Sequence, residues 1–195
     1  PSQQQAQHST ATVLLYFAAW YAINLVYNDT NKTLLQALPL PYTIAALQLG
    51  IGTLYLAPLW SLGLRAPPRI NAAALRALMP TCAIHAAGQV VTVASLGAGS
   101  IAFVNVVKSL EPLFNVAFGY LLVGDALPWQ VNACLLPVIA GVGLASASDL
   151  TFTWECFALA MGSNVAFSLR GVLSKRKLSK GVGGGMDAGN SFAVL

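Results

Sequence analysis

Long apolar stretches separated by short polar connections dominate the chain. Six of them have about the 20 residues that a helix needs to cross the hydrocarbon core of a bilayer. They cover approximately residues 11–30, 42–64, 77–96, 100–123, 127–147 and 152–173. The pattern predicts six transmembrane helices, and the short connections make sequential helices antiparallel neighbours. Prolines within four of the stretches, at positions 58, 80, 112 and 137, predict kinks.

The composition also indicates a membrane protein. Hydrophobic residues make up 56% of the 195 residues and charged residues only 8%, whereas soluble domains carry about 25% charged residues. A polytopic membrane protein, with the lipid bilayer as its main solvent, explains these values better than a soluble enzyme does. The net charge of +4 does not indicate nucleic-acid binding, because the basic residues lie at the edges of apolar stretches rather than in one patch.

The basic residues also predict an orientation. If each stretch crosses the membrane once, Lys32 alone lies on the side opposite the N-terminus. The basic residues on the side of the N-terminus are Arg65, Arg69, Arg76, Lys175, Arg176, Lys177 and Lys180. Because basic loops concentrate on the inner side of a membrane, the N-terminus is predicted to lie inside.

The sequence carries no pattern that is typical of enzyme chemistry. Three cysteines, at positions 82, 134 and 156, are odd in number and far apart, which favours neither a disulfide framework nor a zinc site. There is no nucleophile–base arrangement, metal-ligand spacing or glycine-rich phosphate loop, so we expect no catalytic residue, metal or cofactor. The chain begins without Met and ends as an apolar run opens at residues 192–195, so we expect a fragment of a longer protein.

Three ionisable residues lie deep inside predicted helices. Lys108 and Glu111 are near the middle of the fourth stretch, and Arg170 is in the inner part of the sixth. Each costs about 3 kcal/mol at a helix centre unless it faces protein or water, so each is a candidate functional residue. A buried Glu111–Arg170 ion pair would contribute little net stability after desolvation. We therefore interpret such a pair as a latch that holds one conformation and opens in another.

Polar side chains at helical spacing place these residues on polar faces of their helices. The faces carry Asn24, Asn28 and Asn31 in the first stretch, His85, Gln89 and Thr92 in the third, Asn105, Lys108, Glu111 or Pro112 and Asn115 in the fourth, and Ser163, Phe167, Arg170 and Ser174 in the sixth. We expect all four faces to line one hydrated cavity. Hydrogen bonding between helices explains Asn24, Asn28 and Asn115 without a ligand. His85 is interpreted as a hydrogen-bonded interior residue rather than a proton relay.

A lysine ammonium in such a cavity favours an anionic ligand. A phosphate ester carries about −1.5 to −2 charges at neutral pH and several acceptor oxygens. Lys108 alone cannot neutralise that charge, so we expect further cations from the C-terminal part of the protein, beyond residue 195.

These residues resemble the plastidic sugar-phosphate/phosphate translocators, within the drug/metabolite transporter superfamily. The strongest match is the run from Phe103 to Phe114, F-V-N-V-V-K-S-L-E-P-L-F, which is similar to the family signature F-T-H-x-x-K-x-x-E-P-x-F. Further matches are Trp20-Tyr21 through Asn24 to Asn31-Lys32, Pro41 with Gln48-Leu49, and Arg170 followed by Ser174-Lys175. The likeness covers nearly the whole chain.

The resemblance implies an all-α membrane protein with the drug/metabolite transporter fold. This chain would hold six complete helices of an expected ten, which the fold arranges as two inverted five-helix repeats. Residues 1–149 would form the N-terminal repeat, and residues 150–195 would begin the second with the sixth helix, a basic glycine-rich loop and the start of a seventh helix. The substrate site would lie near the midplane of the membrane.

The resemblance also implies which residues bind the substrate. The family's phosphate-binding lysine falls on Lys108, and its third-helix threonine falls on Thr92. Phe167 would line the pocket, and Glu111 with Arg170 would form a gating ion pair.

Two positions depart from the family pattern. The third-helix histidine, which contacts the organic part of the substrate in triose-phosphate carriers, falls on Gln89, and the Thr-His of the signature is Val104-Asn105. Glutamine donates and accepts hydrogen bonds but cannot become charged. The preference among triose, phosphoenolpyruvate, pentose and hexose phosphates therefore stays open.

The resemblance implies an antiporter that exchanges inorganic phosphate for a phosphorylated metabolite by alternating access. The metabolite would be triose phosphate, 3-phosphoglycerate, phosphoenolpyruvate or a sugar phosphate, and the protein would be a multi-pass monomer or weak homodimer of the plastid inner envelope. A nucleotide-sugar transporter of the Golgi or endoplasmic reticulum is an alternative, although those carriers tend to lack the acid found at Glu111. A non-transporting membrane scaffold subunit is the alternative from another class.

Overall fold

The computed structural model describes residues 10–64 and 71–179, and all regular secondary structure in these ranges is helical. The helices are α1 (Thr10–Ala37), α2 (Pro41–Ser61), α3 (Ala72–Ala98), α4 (Ile101–Lys108), α5 (Glu111–Val123), α6 (Trp129–Ala133), α7 (Leu135–Ser148) and α8 (Trp154–Ser179). The predictions for Arg65, Arg69, Lys180, the glycine-rich loop 181–185 and the start of a seventh transmembrane helix lie outside the described residues.

The described helices form six spans that are long and apolar enough to cross a membrane, which confirms the predicted number. Four helices are spans by themselves, whereas α4 with α5 and α6 with α7 form one span each. α1 continues beyond the predicted stretch because polar residues near its end find partners in the fold. The Lys32 ammonium donates to the backbone oxygens of Leu96 at 3.0 Å and Gly99 at 2.6 Å. The last carbonyls of a helix lack partners within it, so Lys32 caps the end of α3.

The fourth span is broken, whereas its sequence predicts one kinked helix. α4 ends at Lys108 and α5 begins at Glu111, with Pro112 in its first turn. Proline has no N–H, and its ring displaces the carbonyl four residues earlier, which is that of Lys108. Pro137 interrupts the fifth span between α6 and α7 in the same way, while the second and third spans continue through their prolines.

Side chains of α8 bind the backbone on both sides of the break. Asn164 Nδ2 donates to the Val107 carbonyl oxygen at 2.8 Å, and the Ser168 hydroxyl donates to the Glu111 carbonyl oxygen at 3.0 Å. Irregular backbone at membrane depth is tolerated only where neighbouring protein or water satisfies it. The break in the fourth span therefore depends on α8.

α8 lies antiparallel along α3 over most of its length. Near the start of α8, the Cys156 thiol lies 3.5 Å from the Ser95 carbonyl oxygen at the end of α3. Near its end, the Lys177 ammonium donates to the Ala77 carbonyl oxygen and, at 2.8 Å, to the Thr81 hydroxyl. α8 also packs against α4 and α5, and the buried core between these helices includes Val93, Leu96, Phe103, Val107 and Ala160. The helix that the resemblance assigns to a second repeat thus packs at the centre of the described bundle.

Charged residues separate to the two ends of the bundle. Lys175 pairs with Asp125 at 2.7 Å, and Lys177 binds the beginning of α3, so both lie at one end. Lys32 lies at the other end, beside the last turn of α3. This placement agrees with six crossings, in which successive connections between the spans lie at alternate ends of the bundle. The assignment of the N-terminus to the inner side stays a prediction.

Candidate functional site

The Lys108 side chain extends from the end of α4 to α8. Its ammonium Nζ donates to the Ser163 hydroxyl at 3.2 Å and lies 4.7 Å from the centre of the Phe167 ring. Ser163 gives its own proton to the Ala160 carbonyl oxygen at 2.8 Å, so its oxygen accepts from the lysine. The ammonium is therefore directed between the helices, where a hydroxyl and an aromatic face are its neighbours.

Arg170 reaches the same phenylalanine from one turn further along α8. Its guanidinium carbon lies 5.7 Å from the Phe167 ring centre, and one terminal nitrogen lies 3.4 Å from Nδ1 of His85 on α3. An arginine only donates, so in this contact Nδ1 of His85 accepts and carries no proton. The His85 and Phe167 rings are 5.8 Å apart and tilted by 60°. We call the group formed by His85, Lys108, Ser163, Phe167 and Arg170 the cation cluster.

The cation cluster holds positive charge that the described residues do not neutralise. Within residues 10–64 and 71–179, neither Lys108 nor Arg170 forms an ion pair with a carboxylate, and the ion pair seen there is Lys175–Asp125 at the bundle end. The Nε atom of Arg170 is buried and has no hydrogen-bond partner in the same part of the chain. Uncompensated charge and an unused donor are costly inside a helix bundle. The cation cluster is therefore suited to an anion that brings acceptor oxygens.

The structure does not join Glu111 and Arg170 as an ion pair. The Ser168 hydroxyl binds the Glu111 backbone oxygen, so this side of α8 faces the start of α5. Arg170 follows Ser168 by two residues, which is about 200° around the helix, and it faces α3 instead. The predicted gating pair is not formed in this conformation, and it stays a prediction for another state of the protein.

Gln89 and Thr92 engage their side chains in other contacts. Thr92 is buried, and its hydroxyl donates to the Gly88 carbonyl oxygen in the same helix at 2.8 Å. Gln89 Nε2 donates to the Tyr27 hydroxyl oxygen on α1 at 2.7 Å. Of the four predicted substrate-binding residues, the structure groups two in the cation cluster and gives these two other partners.

Gln89 belongs to a second polar group, which joins α1, α2 and α3. Asn31 Nδ2 donates to the Tyr27 carbonyl oxygen at 2.8 Å, and Gln48 Nε2 donates to Asn31 Oδ1 at 2.5 Å. The Tyr27 hydroxyl donates to Gln48 Oε1 at 3.0 Å and accepts from Gln89. We call Tyr27, Asn31, Gln48 and Gln89 the amide chain.

One backbone oxygen determines the direction of every bond in the amide chain. A carbonyl oxygen only accepts, so Asn31 must turn its NH2 group to Tyr27 and its oxygen to Gln48. Gln48 therefore gives its NH2 group to Asn31 and its oxygen to the Tyr27 hydroxyl. The tyrosine proton is then used, and its oxygen accepts from Gln89. The amide chain thus links three helices by uncharged hydrogen bonds that need no ligand.

The other members of the predicted polar faces lie in separate places. Asn105 is exposed in a groove between α4 and α7, and Asn24 bonds back to its own helix. Asn115 lines a pocket of about 280 Å³ between α5 and α8, which Asp125 and Lys175 also line. The prediction of one cavity shared by four polar faces is wrong for these asparagines. α4 contacts both α7 and α8, so neighbouring positions on its surface face different helices.

The sequence did not indicate the partners of four polar residues that form the amide chain or bind the break in the fourth span. These residues are Tyr27, Gln48, Asn164 and Ser168. Tyr27 lies four residues before Asn31, and Ser168 lies four residues after Asn164. Side chains at this spacing share one helix face. The spacing of four residues is therefore the feature of the sequence that indicates these side chains. It does not reveal which helix they contact, which only the fold shows.

Comparison with known proteins gives a family match. The sequence matches the model of the Triose-phosphate Transporter family over residues 11–195. A non-green plastid triose phosphate/phosphate translocator of Brassica oleracea var. botrytis is 36% identical over 167 residues, which are 85% of this chain and 41% of the relative. Phosphoenolpyruvate/phosphate translocator 3 of Oryza sativa subsp. japonica is 37% identical over 193 residues, or 99% of this chain and 49% of the relative.

A chloroplastic triose phosphate/phosphate translocator of Pisum sativum is 32% identical over 190 residues, which are 97% of this chain and 46% of the relative. The sequence identity is therefore similar for relatives that are named after two different substrates, phosphoenolpyruvate and triose phosphate. The chain spans about half the length of the curated relatives it matches.

Proposed function

Because the chain belongs to the Triose-phosphate Transporter family, we propose that it is part of a membrane antiporter that exchanges inorganic phosphate for a phosphorylated metabolite by alternating access. The observation that carries this proposal is the cation cluster, where Lys108 and Arg170 both lie against Phe167 between the helices. Phosphate and its esters supply the negative charge and the acceptor oxygens that complement these two side chains.

The two cations have different roles in this proposal. The Lys108 ammonium, which Ser163 already orients, binds phosphoryl oxygens as a compact charge. The Arg170 guanidinium presents a planar set of donors to a second group of oxygens. Its buried Nε has no partner among the described residues and is free to take part. Phe167 supports both side chains with one ring.

The same charges account for obligatory exchange. Without an anion, the occluded state would enclose uncompensated positive charge between the helices, which is costly. A bound phosphate or phosphate ester removes that cost, and a ligand favours the states that it binds better. The carrier therefore passes from one opening to the other only when it is loaded, so each outward step must be followed by an inward one with a second anion.

Thr92 and Gln89 bind ligand oxygens in the proposal after a local change. The Thr92 hydroxyl rotates away from the Gly88 carbonyl oxygen and donates to the ligand. The bond to Tyr27 uses one amide hydrogen of Gln89, so the second amide hydrogen and the side-chain oxygen can bind the ligand. Glutamine can therefore orient the organic part of a substrate without adding charge.

The location and architecture of the whole protein follow from the same premise. The relatives named above are chloroplastic or non-green plastid proteins, and we place this chain in the plastid inner envelope as a multi-pass protein. Residues 1–149 and the residues from 150 onward belong to two inverted repeats in this proposal. Glu111 and Arg170 pair in the opposite conformation and close the site there. A monomer or weak homodimer stays a prediction.

Exchange of labelled phosphate by the complete protein in liposomes tests the role of Lys108. Removing one partner of a desolvated charged contact costs about 2–5 kcal/mol, so Lys108→Ala should lower exchange at least about 30-fold. The matched control is Lys175→Ala, because Lys175 is 72% exposed and lies outside the cation cluster; it should exchange normally. Normal exchange by correctly folded Lys108→Ala would overturn the proposal.

Counterflow separates the substrate classes. Liposomes loaded with phosphate are offered triose phosphate, 3-phosphoglycerate, phosphoenolpyruvate, hexose phosphate or a nucleoside monophosphate. Uptake of any of the first four supports the proposal, whereas uptake of the nucleotide alone would favour a nucleotide-sugar transporter. A complete protein that neither exchanges phosphate nor gains thermal stability from it would favour a scaffold role.

A further inference from the structure

α3 and α8 approach each other closely at Gly88. A methyl group on Gly88 would lie 3.0 Å from Cβ of Ala166 and 3.4 Å from Cε1 of Phe167. The Ala166 methyl is attached directly to the backbone and has no rotamer that moves it away. A side chain at Gly88 would therefore displace α8 itself, together with the edge of the Phe167 ring.

Phe167 is the residue through which such a displacement reaches the cation cluster. Its ring centre lies 4.7 Å from the Lys108 ammonium and 5.7 Å from the Arg170 guanidinium carbon. The Gly88 carbonyl oxygen also accepts the Thr92 hydroxyl at 2.8 Å. A side chain at Gly88 would thus adjoin an aromatic side chain of the cluster, and the Gly88 carbonyl oxygen already binds a predicted ligand-binding hydroxyl.

We propose that Gly88 is a positioning residue, whose missing side chain sets the separation of α3 and α8 so that Phe167 holds Lys108 and Arg170 at the spacing that a phosphate ligand requires. This inference rests on the proposed function, since the spacing matters only if the cation cluster binds the ligand. Small shifts in the relative positions of the groups that hold a ligand lower activity by large factors, about 100-fold for 1 Å. A shift of a few tenths of an ångström should therefore weaken phosphate binding several-fold while the helices stay folded.

Other glycines of the chain provide matched controls. A methyl group on Gly162 of α8 would lie 3.5 Å from a Val91 methyl, which is an ordinary contact across the same pair of helices. A methyl group on Gly119 would meet nothing within 4 Å. Gly99 is close-packed as well, since a methyl group there would collide with the Cys156 side chain, but it lies at the end of α3 and outside the cation cluster. Gly99→Ala therefore reports on packing damage alone.

Phosphate exchange by the complete protein in liposomes, with KM and the maximal rate per folded molecule measured separately, tests the inference. We expect Gly88→Ala to raise the KM for phosphate several-fold with little change in maximal rate. Gly162→Ala and Gly119→Ala should keep the wild-type KM. Gly99→Ala should lower the amount of folded protein and leave the KM of the folded fraction unchanged.

A compensating change distinguishes positioning from general damage. In Gly88→Ala combined with Ala166→Gly, the 3.0 Å contact is gone and the nearest remaining contact, 3.4 Å to the Phe167 ring, is an ordinary one, so the KM should return to that of Ala166→Gly alone. If Gly88→Ala does not fold, this pair still provides the test. A wild-type KM in Gly88→Ala, or a double variant whose KM stays several-fold above that of Ala166→Gly alone, would overturn the inference. Failure of the wild-type protein to exchange phosphate would instead overturn the proposed function.

Discussion

The cation cluster and the amide chain are both polar groups inside a membrane bundle, and each joins three helices. They differ in how their hydrogen bonds and charges are satisfied. The amide chain is uncharged, and each bond has a direction that one backbone oxygen determines. The cation cluster carries the charges of Lys108 and Arg170 without a carboxylate partner in the described part of the chain. The difference teaches that polar residues whose hydrogen bonds are made within the protein hold the helices together. Charged residues without a carboxylate partner are available to bind a ligand.

Arg170→Met should show most clearly that the cation cluster affects exchange rather than stability, unlike the amide chain. It removes charge and donors but keeps much of the side-chain volume, so exchange should fall at least about 30-fold by the same 2–5 kcal/mol argument. The midpoint of thermal unfolding should stay equal or rise, because replacing a partly buried charge that lacks a carboxylate partner by an apolar group is neutral or stabilising. Arg76→Met at an exposed position is the control for both measurements. Normal exchange with lowered stability would assign Arg170 to packing.

Stabilisation by phosphate should depend on the charges of the cation cluster and not on the Tyr27 hydroxyl of the amide chain. At a phosphate concentration of about 100 times Kd, a ligand that binds only the folded state stabilises it by about 2.7 kcal/mol. Thermal unfolding in detergent should show this gain for the wild-type protein and for Tyr27→Phe, and no gain for Lys108→Ala. Chloride at equal ionic strength controls for salt. A gain that persists in Lys108→Ala would place the anion elsewhere.

Tyr27→Phe should affect stability rather than exchange. The change deletes the hydroxyl that donates to Gln48 and accepts from Gln89. Interhelical hydrogen bonds in membrane bundles contribute about 0.6 kcal/mol each, so unfolding should become easier by about 1 kcal/mol. Exchange per folded molecule should stay within about twofold, with Tyr55→Phe, at a 67% exposed position, as the control. Loss of exchange at unchanged stability would show that the Tyr27 hydroxyl, and not only Gln89, belongs to the substrate site.

The Lys175–Asp125 pair should have the smallest effect. Its side chains are 72% and 48% exposed, and such pairs contribute about 0.2–1 kcal/mol that salt screens. A double-mutant cycle of Lys175→Ala and Asp125→Ala, read by thermal unfolding at low and high salt, should give a coupling in this range that shrinks with salt. A salt-independent coupling of about 2 kcal/mol or more would show that the bundle end is a latch.

The cost of buried charge was sufficient to select Lys108 and Arg170 from the sequence, and the family resemblance added Phe167. The partners of these residues were not predictable in the same way. The interpretation of Glu111 and Arg170 as a pair uses spacing along single helices, whereas the rotation of α8 against α3 and α5 decides which residues meet. That rotation brings His85 to Arg170 and the Glu111 backbone to Ser168.

The sequence by itself determined the six membrane spans, the polar faces and the identity of the charged residues, because hydropathy, helical periodicity and desolvation cost are local properties of the chain. The tertiary structure decided that the fourth span breaks between Lys108 and Glu111 and that Gln89 binds Tyr27 rather than the cation cluster. The physical reason is that these features depend on side chains of other helices. Asn164, for example, binds the backbone at the break from 57 residues away, and only packing brings such groups within hydrogen-bond distance.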